Sequence, residues 1–91
     1  MSINAQALQG LTRLTYLLAA GNVIADASFV SNMVQLTYLN LYGNQVQDLA
    51  PLTGLTNLTT LDIAWNQATN LQPLATLTRL TDLSAANNSF M

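Results

Sequence analysis

The sequence predicts a stacked α/β solenoid in which short parallel strands alternate with helical or irregular returns. Asn22, Asn44, Asn66 and Asn88 stand 22 residues apart without an insertion. Leu14, Leu36, Leu58 and Leu80 keep that interval, as do Leu17, Leu39, Leu61 and Leu83. Self-similarity at such a period marks units that bury their apolar faces only by stacking on neighbours. Composition agrees. A chain of 91 residues is small for one compact core, yet 51% of it is hydrophobic and only 7% charged.

Each unit opens with a strand. Leu39 and Leu41 alternate with Tyr38, Asn40 and Tyr42, the period of two that separates the faces of a sheet. Equivalent segments near 14 to 19, 36 to 41, 58 to 63 and 80 to 85 run in one direction, so they pair in parallel. Gly43 and Asn44 then turn the chain. The carboxamide of such an Asn satisfies backbone groups of its own and the adjacent coil. Asn22, Asn44, Asn66 and Asn88 are thus expected to form a structural ladder, with Asn88 mattering less than Asn66 because nothing stacks beyond it in a monomer.

The return is compact. Asp48 is placed to cap a turn, Pro51 presets its backbone, and Leu49, Leu52 and Leu55 recur at a spacing that suits a 3₁₀ helix. Asn70, Leu71, Pro73, Leu74 and Leu77 repeat the pattern. In the first unit Asp26 keeps the cap, but Phe29 takes the proline position and Asn32-Met33 replace Gly54-Leu55.

Written out, the units are LTYLLAAGN (14–22), LTYLNLYGN (36–44), LTTLDIAWN (58–66) and LTDLSAANN (80–88). They resemble the leucine-rich repeat frame L-x-x-L-x-L-x-x-N. With NQVQDLAPL (44–52) and GLTNL (54–58), the chain resembles the 22-residue repeats of bacterial internalin-type surface proteins. That resemblance implies a right-handed horseshoe with a parallel sheet on its concave side and 3₁₀ turns on its convex side. It also implies recognition of a protein partner on the concave face, and a surface or secreted bacterial parent.

Several functions are excluded. With two Arg, no Lys and a net charge of −2, no basic face exists to neutralise phosphates, so nucleic acid is not expected as a partner. No apolar run approaches the length of a spanning helix, so no membrane partner is expected. Cys and His are absent, which removes the usual metal ligands, the common general base and the strongest nucleophiles. The sequence therefore predicts a non-enzymatic chain with no cofactor, no metal and no catalytic residue. Asp62 and Asp82 lie diagonally on adjacent strands, about 7–8 Å apart, too far to share a proton. Thr15, Thr37, Thr59 and Thr81 form one column and Thr12, Thr56 and Thr78 most of another. Packing between identical coils accounts for them better than ice binding does.

Function is then expected among residues pointing away from the core: Tyr16, Leu18, Tyr38, Asn40, Tyr42, Thr60, Asp62, Trp65, Asp82 and Asn87, with Ala20, Ala64, Ser84 and Ala86 between them. Every Tyr and the single Trp fall there, and aromatic residues with a polar handle are enriched at interface hot spots. The competing reading is that aromatics favour strands. One domain over residues 1–91, four repeats without clear caps, is expected. Ile3 and Asn4 fall where Gln47 and Asp48 stand, as the tail of an earlier unit, and only Ser89, Phe90 and Met91 follow the last Asn. Open apolar ends favour homo-oligomers through those ends. A protein-binding module, a self-associating block and an engineered scaffold without a physiological ligand all fit.

Overall fold

The computed structural model describes Leu8 and residues 10–90; the reading of Ile3 and Asn4 lies outside them. Four strands, β1 (Tyr16–Leu18), β2 (Tyr38–Asn40), β3 (Thr60–Asp62) and β4 (Asp82–Ser84), form one parallel sheet in chain order. Register is the repeat itself, with Leu17, Leu39, Leu61 and Leu83 paired in succession. The strands have three residues each, shorter than the segments expected.

Their flanks explain the difference. On the near side the Thr15 carbonyl accepts from Thr37 N–H (2.8 Å), Tyr38 N–H (3.2 Å) and the Thr37 hydroxyl (3.1 Å). One oxygen thus serves three donors, and the regular ladder starts only after it. The Thr37 and Thr59 carbonyls serve the next coils in the same way. The Thr column is therefore bonded through hydroxyl to backbone, each coil to the one before. On the far side Leu41 N–H donates to Asp62 O and Gly43 N–H to Ala64 O, so pairing continues while the backbone bends.

Between the sheet and the returns lies a dry core. Leu36, Leu39, Leu41, Leu58, Leu61 and Ile63 from the sheet side meet Leu49, Leu52, Leu55 and Met33 from the return side, all buried. Returns pass through 3₁₀ turns at Ser28–Val30, Ala50–Leu52 and Gln72–Thr76; no α-helix occurs among the described residues. The irregular first return conserves volume. Ala27 stands where the second unit has Leu49, and Phe29 where it has Pro51, and both are buried. The smaller residue makes room for the larger, and cores tolerate such exchange best.

The capping expectation needs correction in position. The residues at the N-caps are Ala27, Leu49 and Leu71, none with a side-chain cap. Asp26, Asp48 and Asn70 stand one residue earlier, and each Oδ1 accepts the N–H two residues on, at 2.9 Å from Ser28, Ala50 and Gln72. That is an Asx turn leading into the helix. The bond from Ser28 holds the Asp26 carboxyl below the usual carboxylate range.

Side-chain carboxamides fasten the stack. Asn44 Oδ1 accepts from Asn22 N–H (2.9 Å) and Ile24 N–H (3.0 Å) of the preceding coil. Its Nδ2 donates to Ala19 O of that coil (3.0 Å) and to Leu41 O of its own (2.8 Å). Asn66 treats Val46 N–H and Leu41 O likewise, and Asn88 treats Ala68 N–H and Ile63 O. Asn44, Asn66 and Asn88 each reach back to the preceding coil. Asn88 is therefore engaged with the preceding coil although nothing stacks beyond it, whereas Asn22 Nδ2 donates to Ala19 and Ala20 of its own coil. Asn66→Ala, which strands buried backbone groups, should destabilise the chain by about 1–3 kcal/mol in urea unfolding. Asn88→Ala should cost a measurable part of that, reduced by its partial exposure. A silent Asn88→Ala beside a costly Asn66→Ala would contradict the backward bonding.

Candidate functional site

Register brings the outward residues into rows that cross all four strands. One row is Tyr16, Tyr38, Thr60, Asp82; the next is Leu18, Asn40, Asp62, Ser84. Beyond the strands, the repeat sets Ala20, Tyr42, Ala64 and Ala86 in a third row and Gly21, Gly43, Trp65 and Asn87 in a fourth.

The first row begins with a stack. The Tyr16 and Tyr38 rings lie 4.1 Å apart between centroids and 4° from parallel. Tyr16 covers its neighbour: it remains 58% exposed while Tyr38 is half-buried. The adjacent Tyr38 hydroxyl holds the Tyr16 phenol above its ordinary pKa. Further along the row Thr60 is half-buried and Asp82 exposed.

Polar residues of the second row have backbone tasks that sequence reasoning missed. Asn40 Oδ1 accepts from Tyr42 N–H (2.9 Å) and its Nδ2 donates to the Tyr38 hydroxyl (3.2 Å). Asp62 Oδ1 accepts from Ala64 N–H (3.0 Å). Both are Asx turns that end their strands, so Asn40 is largely occupied while Asp62 retains a second oxygen. Leu18, at 59% exposed, has no such task. In the third row Tyr42 is exposed but Ala64 is buried, so Ala64 does not belong to the accessible face. No enclosed cavity opens among the described residues, which leaves a broad surface rather than a pocket.

Residues 12–54, and again 34–76, match the family described as Leucine Rich repeats (2 copies). The chain belongs to the leucine-rich repeat family. Among solved structures, internalin C2 of Listeria monocytogenes is 37% identical with a TM-score of 0.91, over 98% of this chain and 39% of that one. An internalin of the same species, InlF, is 36% identical with a TM-score of 0.87, over 96% of this chain and 26% of its own length. A leucine-rich repeat protein of Leptospira interrogans, LIC12759, is 31% identical with a TM-score of 0.80, covering 88% of this chain and 21% of that one. The repeats are thus internalin-like, and this chain spans about a quarter to two fifths of the two internalins. No curated protein matches it.

The residue before the repeat Asn is left-handed in every unit of this leucine-rich repeat: Gly21 and Gly43 at φ 69°, Trp65 at 57° and Asn87 at 60°. Gly and Asn tolerate that region; Trp does not, and pays about 1–2 kcal/mol for its Cβ. Trp65 N–H is bonded to Ala86 O at 3.0 Å, so the backbone is held there. The indole is 56% exposed, and burial of the remainder contributes about 2 kcal/mol, enough to offset the strain. Strain alone therefore does not mark Trp65 as functional; its exposed half is what remains available. Two glycines and an Asn in one column were the sequence signal for positive φ. Trp65→Gly and Trp65→Asn should be more stable than Trp65→Ala by about 1 kcal/mol in denaturant unfolding, reversing the usual order of Ala over Gly. An Ala variant as stable as the Gly variant would show that positive φ is not required there.

Proposed function

We propose that the chain is a non-enzymatic protein-recognition module whose four repeats act as one unit, with the aromatic side of the sheet as its contact surface. In the horseshoe that the internalin-like repeats imply, this is the concave face. The reading is carried by the gathering of Tyr16, Tyr42 and Trp65, all exposed, on a face without a cavity. Rigid aromatics supply large contact area at low entropic cost and dominate interface hot spots. Leu18, Tyr38 and Thr60 extend that area; Asp62, Asp82 and Asn87 provide a polar margin. The family supports a protein-binding repeat module in general.

The experiment is to immobilise the chain, capture surface proteins from extracts, and measure affinity for whatever is retained. Tyr38→Ala, Tyr42→Ala and Trp65→Ala should each weaken that affinity by up to about 2 kcal/mol while unfolding midpoints show the domain still folded. Variants that unfold the chain yet leave affinity per folded molecule unchanged would make the face structural.

A second reading rests on another observation. All three residues of β4 are exposed, and Leu83 is 47% exposed where its counterparts Leu39 and Leu61 are buried. Phe90 packs against the core without closing that side. We propose that this apolar edge lets the isolated chain self-associate, as a structural or engineered scaffold would, with few charges to oppose contact. Sedimentation at micromolar concentration should show species above 9.8 kDa, and Leu83→Lys with Ser84→Lys should return them to monomer. A clean monomer for the unaltered chain at high concentration would remove this reading.

A further inference from the structure

This inference rests on the protein-recognition reading and concerns the chemistry of the partner. Only six side chains are formally charged, Arg13, Arg79, Asp26, Asp48, Asp62 and Asp82, and the fold sorts them by place. Both Arg share one column ahead of the strands. There Arg79 Nη1 donates to Asn57 Oδ1 (2.8 Å), whose Nδ2 in turn donates to Val34 O (3.0 Å). Asp26 and Asp48 sit at the returns with an oxygen committed to Ser28 and Ala50 N–H. The two remaining carboxylates, Asp62 and Asp82, lie in the outward rows of the sheet, where no cation stands. The outward rows also hold Tyr16 on β1 and Tyr42 and Trp65 just beyond β2 and β3, all exposed, and the face of an aromatic ring carries negative potential.

We infer that the sheet face recognises a cationic segment of a partner protein, with Arg or Lys side chains laid against the aromatic rings and paired with Asp62 and Asp82. Arg suits it better than Lys, because a planar guanidinium both stacks on a ring and forks onto a carboxylate. The geometry adds a spacing. A diagonal pair on adjacent strands is about 7–8 Å apart. In an extended peptide, residues two apart point the same way and are separated by about 6.6–6.8 Å. An Arg-x-Arg sequence in extended form therefore starts its two side chains at about the interval that separates the positions of Asp62 and Asp82. The absence of a cavity among the described residues fits a segment lying across the strands rather than a small molecule.

The test uses two double variants with the same change in net charge. Asp62→Asn with Asp82→Asn neutralises the sheet face; Asp26→Asn with Asp48→Asn neutralises the returns. Both preserve the fold, since Asn40 already makes the turn that Asp62 makes, and Asn70 the turn that Asp26 and Asp48 make. The probe is a labelled peptide with two Arg-Ser-Arg blocks, its binding followed by fluorescence polarisation, beside the same peptide with Glu for Arg. The expected result is that the Arg peptide binds and the Glu peptide does not. The sheet-face variant should lose about tenfold in affinity and the return variant less than about twofold, with the difference shrinking at high salt. Equal losses in the two variants would mean general charge attraction and overturn the inference, as would no binding of the Arg peptide at millimolar concentration. A captured protein that depends on Tyr42 and Trp65 but not on Asp62 and Asp82 would overturn it too, while leaving the recognition reading intact.

Discussion

One carboxamide per coil is the constraint on which the rest of this structure depends. Stacked coils leave backbone groups at the turn after each strand without partners in a regular ladder, and buried backbone groups must be paired. Asn44 and Asn66 supply donors and acceptors at that level, nearly removed from solvent. A side chain this short reaches the preceding coil only if the turn arrives at the same height each time. The invariant interval of 22 residues is the sequence record of that requirement. Register follows, and register in turn lines up Leu39 and Leu61 in the core, with Leu17 and Leu83 at its two ends, and Tyr16 with Tyr38 outside it.

With the backbone so largely served from within, the chain needs few charges to fold. Threonine hydroxyls on one side of the strands and Asx turns on the other consume polar side chains that would otherwise look available, Asn40 above all. What remains on the sheet face is a small set of rings and two carboxylates. A leucine-rich repeat offers a rigid surface on which such residues can vary without altering the frame, and here the rings fall in units one to three and the carboxylates in units three and four. The fold fixes the frame, and any function has to be argued from the outward residues it carries.

Much of this could be read from the residues. The repeated Asn and Leu located the sheet and its parallel order, and Pro51 and Pro73 located the 3₁₀ returns, because those features depend on period and backbone chemistry alone. Strand length was overestimated because alternation of Leu39 and Leu41 continues past the point where the Thr15-type carbonyl and the Asn40-type turn bend the chain. Ala64 was placed on the open face by alternation yet is covered, since a small side chain beside larger ones does not reach solvent. The cap was assigned one residue too early, because Asp48 precedes the N-cap Leu49 and bonds the first helical N–H rather than one deeper in the turn. Tyr16 stacking on Tyr38 depends on the rotamers of two rings, which no spacing rule conveys.

The backward reach of Asn44, Asn66 and Asn88 gives the stack a polarity along the chain. A coil emerging later carries the group that fastens the coil before it, so the Asn22 and Ile24 N–H groups gain their partner only when Asn44 arrives. Assembly from the amino-terminal side therefore leaves the newest turn open at every stage until the next coil closes it. Such a chain can build itself in the order in which it is synthesised, each new unit sealing its predecessor. Growth or loss of whole units is then a change in count rather than in kind.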